Sequence, residues 1–288
     1  MIKIAIIIPT FNRAKKLEII ISQLQDQMTS DDLIGIEIIV VVDGSSDGTI
    51  GMLENKFPSV HIINGNGNWW YTKSMNEGFK CAQKFKPDFV LTLNDDVEIN
   101  PEYISKLLDD YKSLKEQDVV LGSMSISNSD DNPLILFAGV KNHLRAGLKS
   151  EHYIEPLQKS YSSEIKGIHK TMELPGRGIL IPNTVLKELG YFDEEFPQYG
   201  SDTDFCFRAR KKGIRIYISW NAVVKVNLQE TRIRSQSGEN TYYLKIRDLF
   251  DIHSHQNIFK FIKFHKRHYN CIHLVWKLPY FLILNFKS

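Results

Sequence analysis

The first half of the chain alternates short runs of β-branched, apolar residues with segments whose apolar residues recur at helical spacing. The run "KIAIIIPT" precedes a helical pattern over residues 14 to 27, and "IGIEIIVVVDG" ends in the turn residues "DGSSDG". A short helix, the strand "SVHII", a helix at about residues 71 to 84 and the strand "DFVLTL" come next. This βαβαβαβ order predicts an α/β fold, with a mostly parallel central sheet flanked by helices.

The second half of the chain is less regular. The sequence predicts a helix in "PEYISKLLDDYKSL", strands in "DVVLGSMSI" and "PLILFAGV", and two short strands around the turn "PGRG" in "TMELPGRGILIP". Helices are predicted in "NTVLKELG" and over residues 201 to 212. One domain over residues 1 to 230, followed by a helical C-terminal extension over residues 231 to 288, fits this order best.

Composition excludes several classes of protein. The chain has 288 residues, and its 42% hydrophobic content is ample for a core, which excludes a disordered chain. The three cysteines, Cys81, Cys206 and Cys271, are far apart and odd in number, so neither a disulfide framework nor a zinc knuckle is supported. Since the start carries no secretory hydrophobic region, a reducing cytoplasm is the expected compartment.

Positive charge is concentrated at the C-terminal end. From residue 255 onward there are six Lys or Arg residues and no acidic residue, which leaves 30 basic against 34 acidic residues in the remainder. A mildly acidic body with a basic, aromatic tail argues against nucleic-acid binding and for contact with an anionic membrane surface. The apolar run "IHLVWKLPYFLILNF" is interrupted by Lys277 and Pro279 and is shorter than the ~20 residues of a spanning helix.

The basic tail is therefore expected to lie in the membrane interface, and a helix packed on the domain is the alternative. His265 and His268 have a metal-like spacing. Because no carboxylate is near them in the sequence, they are also expected to be interfacial.

Two adjacent carboxylates, Asp95 and Asp96, follow the predicted strand "DFVLTL" directly. At ~4 Å such a pair repels by several kcal/mol unless water or a cation lies between the charges. A solvated turn is one interpretation, and a divalent metal site built from hard oxygen ligands is the other. Ligands of parallel sheets bind beyond the carboxyl ends of the strands, where Asp43 is also expected.

Two common nucleotide-binding motifs are absent. No GxxxxGK[ST] phosphate loop is present. The stretch "GNGNWW" partly matches the dinucleotide fingerprint, but Trp70 stands where a glycine must allow close helix packing. A third scheme places a carboxylate near the base and a metal on the diphosphate, and needs no glycine loop.

Five motifs match that third scheme in order: "IAIIIPTFNRAKKL", "VVVDGSSDGT", "GNGNWWYTKSMNEG", "LTLNDDVEI" and "GYFDEEFPQYGSDTDFCFRARKKG". Together they resemble family-2 glycosyltransferases, the inverting, nucleotide-sugar-dependent enzymes of bacterial polysaccharide synthesis with the GT-A fold. The resemblance covers residues 1 to about 225, and "NDD" with "GNWW" is most similar to a bacterial subset with rhamnosyltransferase-like members. It implies a nucleotide-sugar-binding half at residues 1 to 125 and an acceptor-binding half at residues 126 to 230.

The resemblance places the start of the nucleotide site at four residues that follow the first strand: Pro9, Thr10, Asn12 and Arg13. Asp43 resembles the residue that hydrogen-bonds the base or ribose. The family's frequent Asp-Asp pair is Val42-Asp43 here, so one carboxylate is missing. Asp47 is expected to cap the following helix and not to bind a ligand.

Within "NWWYTKSMNEG" the resemblance places donor-pocket residues at Asn68 and Asn76. Trp69 and Trp70 are adjacent, so they cannot face the same side of a helix or strand. One is expected in the core and the other against the base or sugar, and Trp70 is taken as the donor-site candidate. Lys73 is a candidate for a phosphate contact.

Asn94, Asp95 and Asp96 resemble the family's DxD-type element in an Asn-Asp-Asp form. The resemblance makes Asp96 the direct ligand of Mg²⁺ or Mn²⁺, and Asp95 a contact to ribose or metal-bound water, with Asn94 beside them in the donor site. The family's chemistry uses such a cation because the departing nucleoside diphosphate gains charge in the transition state.

The motif "YGSDTDFCFR" matches the family's acidic acceptor motif, with Asp202 at its catalytic aspartate and Ser201 where a glutamate is common. A carboxylate opposite the leaving group takes the acceptor hydroxyl's proton. The dipole of a helix starting here is expected to keep Asp202 ionised. Asp204 is the second candidate for the base, with Arg208 as an i, i+4 partner. Arg177 is a further candidate for an acceptor or phosphate contact.

The sequence thus predicts an inverting, metal-dependent hexosyltransferase that moves a sugar from a UDP- or dTDP-sugar to a growing, lipid-linked bacterial surface glycan. It is expected to be peripheral to the cytoplasmic membrane face. A sugar-1-phosphate nucleotidyltransferase is one alternative, although "PTFNR" lacks that class's GxGxR loop. A non-catalytic glycan- or membrane-binding module is the other, and it would not need Asp43, Asp96 and Asp202 together.

Overall fold

The computed structural model describes seven stretches of the chain: residues 1–28, 34–116, 118–129, 131–144, 149–227, 241–269 and 274–287. The strands are β1 (Ile2–Thr10), β2 (Ile34–Asp43), β3 (His61–Gly65), β4 (Phe89–Thr92), β5 (Val97–Ile99), β6 (Val120–Ser127), β7 (Ile135–Phe137), β8 (Val140–Leu144), β9 (Lys149–His152), β10 (Ile168–Lys170), β11 (Ile179–Pro182) and β12 (Ile216–Val226). The helices are α1 (Ala14–Met28), α2 (Thr49–Lys56), α3 (Trp70–Ala82), α4 (Tyr103–Ser113), α5 (Asn183–Leu189), α6 (Ser201–Lys211), α7 (Thr241–Phe250), α8 (Ile258–His268) and α9 (Leu274–Lys287).

One large sheet carries the strand order β10-β12-β6-β11-β4-β1-β2-β3, with β5 on β12 and β7 on β6. The pairs β1–β2, β2–β3, β1–β4 and β6–β12 are parallel, whereas β11 is antiparallel to β4 and β6. Strands β8 and β9 form a separate hairpin. The predicted α/β fold with a mostly parallel central sheet is confirmed.

Both faces of this sheet are buried, which explains why its strands are continuous apolar runs. Alternate residues of β1 belong to different cores: Ile6 packs on the side of α1, and Ile7 packs on the side of α3. Helix α3 approaches β1 closely at Gly78, where an added Cβ would lie 2.3 Å from Ile7 Cγ2. Because β1, β2, β3 and β4 run parallel, their carboxyl ends meet at one edge of the sheet.

Two features of the second half differ from the sequence prediction. Only one strand, β11, borders the turn "PGRG"; the strand predicted in "TMEL" is wrong, because β10 ends at Lys170 and residues 171 to 178 form no strand. Thr171 and Met172 each donate a single backbone bond, to Ile216 O and Val140 O, but no ladder continues from them. The predicted strand "PLILFAGV" is divided into β7 and β8. The domain boundary predicted near residue 230 lies outside the described residues.

The predicted helical extension contains helices α7, α8 and α9, and α8 docks on the main domain through Asp204 of α6. The Asp204 side chain is fully buried; Oδ1 is 2.9 Å from Arg267 Nη1 and 2.7 Å from His268 Nε2, and Oδ2 is 2.7 Å from Arg208 Nε. The predicted i, i+4 pair of Asp204 and Arg208 is confirmed. Burial opposes the negative charge, but hydrogen bonds from His268, Arg208 and Arg267 outweigh it and lower the pKa of Asp204 to about 2.

The segment before α6 adds two more carboxylates to this contact. Arg267 also pairs with Asp193 and, at 2.8 Å, with Glu195, which in turn pairs with Lys263. Helix α8 therefore holds the stretch that leads into α6.

Several tail residues that were expected at a membrane surface lie inside the protein. His265 is buried and the His268 side chain is fully buried against Asp204, so the prediction that both are interfacial is wrong. Lys277 is also buried, with its Nζ 4.1 Å from the centre of the Tyr269 ring. The alternative expectation, a helix packed on the domain, describes α8. Among the described residues, no helix has the length and apolarity needed to cross a membrane.

We predict that Asp204→Asn destabilises the fold by about 3–5 kcal/mol, because the change removes the fully buried charge that the partly buried Arg208 and Arg267 share. Urea unfolding at pH 7 measures this loss. Asp193→Asn is the control: this partner of Arg267 is 24% exposed, so its removal should cost about 1 kcal/mol or less.

The same cluster predicts a pH dependence. The folded pKa of Asp204 is lowered to about 2, below the ordinary value of about 3.9, so its stabilisation is complete above pH 4 and is lost as pH falls toward 2. The stability difference between wild type and Asp204→Asn should therefore shrink over this range. A difference that is absent at pH 7, or constant from pH 7 to pH 3, contradicts the assignment.

Candidate active site

The candidate site lies where the carboxyl ends of β1, β2 and β4 meet. Thr10 ends β1 beside Val42 of β2, and residues 93 to 96 follow β4. Residues 171 to 178 and the first turn of α6 approach this edge, since Gly176 accepts a hydrogen bond from Thr92 Oγ1 at the end of β4. Side chains from both halves of the chain therefore reach one region.

Arg13 bridges the two adjacent carboxylates. Its Nη1 donates to Asp95 Oδ1 at 2.8 Å and to Asp96 Oδ2 at 3.0 Å, and Thr10 Oγ1 donates to Asp95 Oδ2 at 2.7 Å. Burial raises the pKa of Asp95, although Arg13 and Thr10 oppose this. A guanidinium thus offsets the repulsion between the two charges, and Asp95 uses both oxygens within the protein.

Asp96 keeps an oxygen available for a ligand. Its Oδ1 and the Asn94 side-chain oxygen are buried and have no hydrogen-bond partner among the described residues. Both are hard oxygen donors of the kind that Mg²⁺ and Mn²⁺ bind. No group of three or more His, Cys, Asp or Glu side chains in the described stretches is arranged to hold a metal ion. These residues therefore fit a cation that takes its other ligands from a bound phosphate or water.

Asp43 organises the loop after β3. Its Oδ1 accepts the backbone N–H of Gly67 at 2.8 Å, and its Oδ2 accepts those of Trp69 at 2.8 Å and Trp70 at 2.9 Å. Both oxygens of this carboxylate therefore accept hydrogen bonds from the backbone around "GNW", and these bonds position the loop.

A second network fixes the corner between β1 and α1. Asn12 has φ 53°, and its Oδ1 accepts the Ser46 N–H at 2.7 Å. Asp47 accepts the N–H of Ala14 at 2.9 Å and that of Thr49 at 3.2 Å, the first residues of α1 and α2. Asp47 thus accepts the first N–H of both helices, although the N-cap residue of α2 is Gly48 and not Asp47. Pro9 lies within β1, paired with Val41.

The two tryptophans face different surroundings, as their adjacency requires. Trp69 packs against the core on the α3 side of the sheet, and Lys73 Nζ lies 5.5 Å from its ring centre. Trp70 has φ 56° and is 40% exposed, and its ring stacks on His253 of the extension at 3.6 Å. Asn68 is exposed, with its N–H bonded to Asn66.

Asn76 is a structural residue in this arrangement. It is buried, its Nδ2 donates to the Phe192 carbonyl at 2.9 Å and to Glu194 at 3.0 Å, and its Oδ1 accepts the Phe192 N–H at 3.0 Å. Because both ends of the amide hold the segment before α6, Asn76 is not carried into the donor site. Contacts of this kind link residues 116 positions apart, which the local pattern does not reveal.

Asp202 stands at the start of α6 with both oxygens directed by the backbone. Its Oδ2 accepts the Gly176 N–H at 2.7 Å, and its Oδ1 accepts the Thr203 N–H at 2.8 Å. Burial raises the pKa of Asp202 despite these bonds and the nearby charge of Arg177. The sequence argument expected the helix dipole to dominate, but the loss of hydration has the larger effect here.

Arg177 is partly buried near the site and is influenced by two acidic groups. Burial lowers the pKa of Arg177, and the charges of Asp96 and Asp202 oppose this. The charge of Arg177 therefore interacts with Asp96, which follows β4, and with Asp202 of α6.

Two other acceptor-side candidates have structural contacts. Ser201 is fully buried and its Oγ accepts a bond from Thr72 Oγ1 at 2.9 Å, so it ties α6 to α3. Asp204 is occupied by Arg208, Arg267 and His268. A carboxylate with a pKa of about 2 is a poor proton acceptor, so Asp204 is not the base.

Two residues near Asp202 escaped the sequence analysis. Tyr71 has a buried hydroxyl, and the charges of Asp202 and Arg177 both act on its pKa. Burial, together with the charge of Asp202, raises the pKa of Glu173 to about 7. Neither residue has a sequence signal beyond its closeness to "NWW" and "PGRG". Together, the described groups can bind an anion or cation near Asp96 and accept a proton at Asp202.

The chain is similar in sequence to known glycosyltransferases. The family model described as "Glycosyl transferase family 2" matches residues 5–154. The low-salt glycan biosynthesis hexosyltransferase Agl10 of Haloferax volcanii is 27% identical over 191 residues, which is 63% of this chain and 56% of that protein. The undecaprenyl-phosphate mannosyltransferase of Micrococcus luteus is 25% identical over 127 residues, or 43% of this chain and 49% of the relative.

A third relative, the dolichol-phosphate mannosyltransferase of Pyrococcus furiosus, is 30% identical over 124 residues, covering 42% of this chain and 33% of the relative. The chain thus spans about half the length, or less, of the curated relatives it matches.

Solved structures support the fold. S. aureus TarS residues 1-349 superpose with a TM-score of 0.53 at 18% identity, covering 86% of this chain and 66% of that one. The same protein in complex with UDP gives a TM-score of 0.55 at 18% identity, again over 86% and 66% of the two chains. The sheet order agrees with a GT-A-like glycosyltransferase fold, and the match to more than half of the sequence shows that the chain belongs to glycosyl transferase family 2.

Proposed function

We propose that the protein is an inverting hexosyltransferase that transfers a sugar from a UDP- or dTDP-sugar to a growing, lipid-linked bacterial surface glycan. The observation that carries the proposal is that Gly176 accepts a bond from Thr92 Oγ1 at the end of β4 and donates its N–H to Asp202 of α6. This joins the donor-side edge of Asp96 to the acceptor-side helix of Asp202, and the charges of both carboxylates act on the next residue, Arg177. One inverting displacement needs those two groups on either side of one space. The UDP complex of TarS and the hexosyltransferase Agl10 support the donor class.

On the donor side, the proposed nucleotide contacts come from Pro9, Thr10, Asn12, Arg13 and Asp43, with Asn68, Trp70 and Lys73 on the loop after β3. Asp43 acts mainly by holding that loop, since it accepts three backbone N–H groups. Arg13 keeps Asp95 in place and leaves Asp96 Oδ1 available.

We assign Asp96, with Asn94 beside it, to a Mg²⁺ or Mn²⁺ ion that the donor's diphosphate would help to hold. Such an ion, when bound, neutralises charge on the departing diphosphate. Asp95 is assigned to support this position through its bonds to Thr10 and Arg13.

On the acceptor side, Asp202 is the proposed general base. Two backbone N–H groups fix its orientation and leave each oxygen with a further lone pair for the acceptor's proton. Its raised pKa makes it a stronger base than an exposed aspartate. Arg177 balances the negative charge that this carboxylate and Asp96 bring to the site.

We also propose that the extension contacts the inner face of the cell membrane. Large apolar side chains are exposed along it, including Phe250 at 58%, Phe259 at 62%, Val275 at 71% and Ile283 at 50%. Lys266 of α8 is also exposed, whereas Lys263 and Arg267 are engaged by carboxylates of the domain. Exposed apolar side chains together with an exposed basic group suit an anionic lipid interface.

The first prediction of this proposal is that Mn²⁺ and Asp96 together determine donor binding. A thermal-shift screen of nucleotide sugars with Mn²⁺ selects the donor, and calorimetry then measures nucleoside diphosphate binding to wild type and Asp96→Ala. We expect at least tenfold weaker binding for Asp96→Ala and for wild type in EDTA. The control is Asp109→Ala, whose side chain is 76% exposed on α4. Equal affinity for Asp96→Ala and wild type rules out the role.

The second prediction is that Asp202→Asn lowers kcat by about 10²-fold or more, because an amide cannot accept the acceptor's proton. Nucleoside diphosphate affinity and melting temperature should stay near the wild-type values. In the wild-type enzyme, turnover should fall on acidification at a pH above the ordinary aspartate value of about 3.9, since burial raises the pKa of Asp202. Near-normal turnover of Asp202→Asn shows that another group is the base.

The third prediction concerns the membrane. Replacing both Phe259 and Val275 by serine should reduce co-sedimentation with phosphatidylglycerol vesicles severalfold, because both side chains are exposed on the extension. Ile19→Ser is the matched control: this residue is 46% exposed on α1. If the double variant and wild type sediment equally, the exposed apolar surface does not bind lipid.

A further inference from the structure

The Tyr71 hydroxyl is the most informative polar group that the proposed chemistry leaves unused. It is buried and has no hydrogen-bond partner among the residues that the structure describes. The residue itself is firmly held, because its N–H donates to Gln198 Oε1 at 3.2 Å and its ring stacks on Phe192 at 6.4 Å. A buried, unpaired hydroxyl is unfavourable for stability, so its retention calls for a partner that arrives with a ligand.

The position of this hydroxyl relates it to Asp202. A Cβ built at Gly176 would lie 1.9 Å from Tyr71 Oη and 3.5 Å from Asp202 Oδ2. The two side chains therefore border the same point of the backbone, where only a glycine fits. Burial raises the pKa of Tyr71, and the charge of Asp202 adds to this, so the phenol stays protonated at neutral pH. It can therefore donate a hydrogen bond to an oxygen placed beside Asp202.

We infer that Tyr71 is an acceptor-binding residue, which donates to the acceptor's reacting oxygen while Asp202 accepts the proton of that oxygen, and that the acceptor is a neutral alcohol of a sugar. This inference rests on the proposed function. In the transfer step the O–H bond of the acceptor breaks and its proton moves to Asp202. The oxygen bonds to the anomeric carbon as the bond from that carbon to the diphosphate breaks, and the diphosphate leaves with the electron pair. Tyr71 keeps its own proton.

The charges around this point favour an alcohol over a phosphate acceptor. A phosphate oxygen is already deprotonated at neutral pH, so it has no use for a base. Its negative charge would face Asp202 and the neighbouring Glu173; among the described residues, Arg177 and Arg210 are cations whose charges act on these two carboxyl groups. An alcohol needs both features of the site, a proton acceptor and a neutral donor. Two of the curated relatives are named for polyprenyl phosphates, so this distinction separates the chain from them.

The test compares Tyr71→Phe with Tyr103→Phe. Tyr103 also has a buried hydroxyl, but its oxygen lies 2.7 Å from Ser123 Oγ, so the two changes remove an unpaired and a paired group. We expect Tyr103→Phe to lower the melting temperature and to leave kcat/KM unchanged. Tyr71→Phe should melt at or above the wild-type temperature and bind UDP within twofold of wild type. Its transfer from UDP-hexoses to a panel of octyl glycosides should fall at least tenfold in kcat/KM.

Each other outcome has a definite meaning. A loss of melting temperature in Tyr71→Phe as large as in Tyr103→Phe, a weakened UDP affinity, or unchanged transfer overturns the role of Tyr71. Wild-type transfer to undecaprenyl phosphate in preference to the glycosides, or donor hydrolysis with no transfer to any glycoside, overturns the alcohol assignment. A wild-type protein that binds neither UDP nor dTDP, and neither UDP-hexoses nor dTDP-hexoses, counts against the proposed function itself.

Discussion

The hydrogen bonds from Arg13 to Asp95 and Asp96 offset the repulsion between two adjacent carboxylates, and the rest of the site depends on this. A parallel sheet brings its strand ends together, and here that edge collects carboxylates that would repel one another if left alone. Each is held by a different kind of partner. Asp95 has a guanidinium and a hydroxyl, Asp43 has three backbone N–H groups, and Asp202 has two. The partners determine what chemistry each carboxylate can still perform.

Asp204 and Asp202 illustrate this within one helical turn. Cations surround Asp204 and lower its pKa to about 2, which makes it a fixed anchor. Asp202 receives neutral backbone donors, and burial raises its pKa. The same residue type thus supplies a structural anchor and a proposed proton acceptor. Neighbouring charges lower the pKa of Asp204, whereas loss of hydration raises the pKa of Asp202.

The anchor also connects the extension to the site. Helix α8 holds residues 193 to 204 through Arg267, and α3 holds the same stretch through Thr72, whose hydroxyl donates to Phe196 O and lies 2.9 Å from Ser201 Oγ. The chain entering Asp202 is therefore clamped between two helices distant in sequence.

The sequence predicted what depends on local pattern. Strand and helix periodicity gave the α/β order, and i, i+4 spacing gave the pair of Asp204 and Arg208. It did not predict the pairing of Asp204 with Arg267, because 63 residues separate them and basic tails also suit membranes. The sequence also did not reveal the buried hydroxyl of Tyr71. Its surroundings include Gly176, which lies in the irregular segment of residues 171 to 178.

That irregular path has a physical reason. Thr171 and Met172 still donate their N–H groups to Ile216 O and Val140 O, but the chain has left the strand ladder by Gly176, and the Gly176 N–H bonds Asp202 instead of a neighbouring strand. The burial that raises the pKa of Asp202 would make its ionised form too costly without that bond. The irregular segment therefore supplies a hydrogen bond that stabilises the ionised form of Asp202. Burial can then make Asp202 more basic without preventing its ionisation. The residues that break the strand pattern are in this sense part of the proposed catalytic apparatus, as much as Asp202 itself.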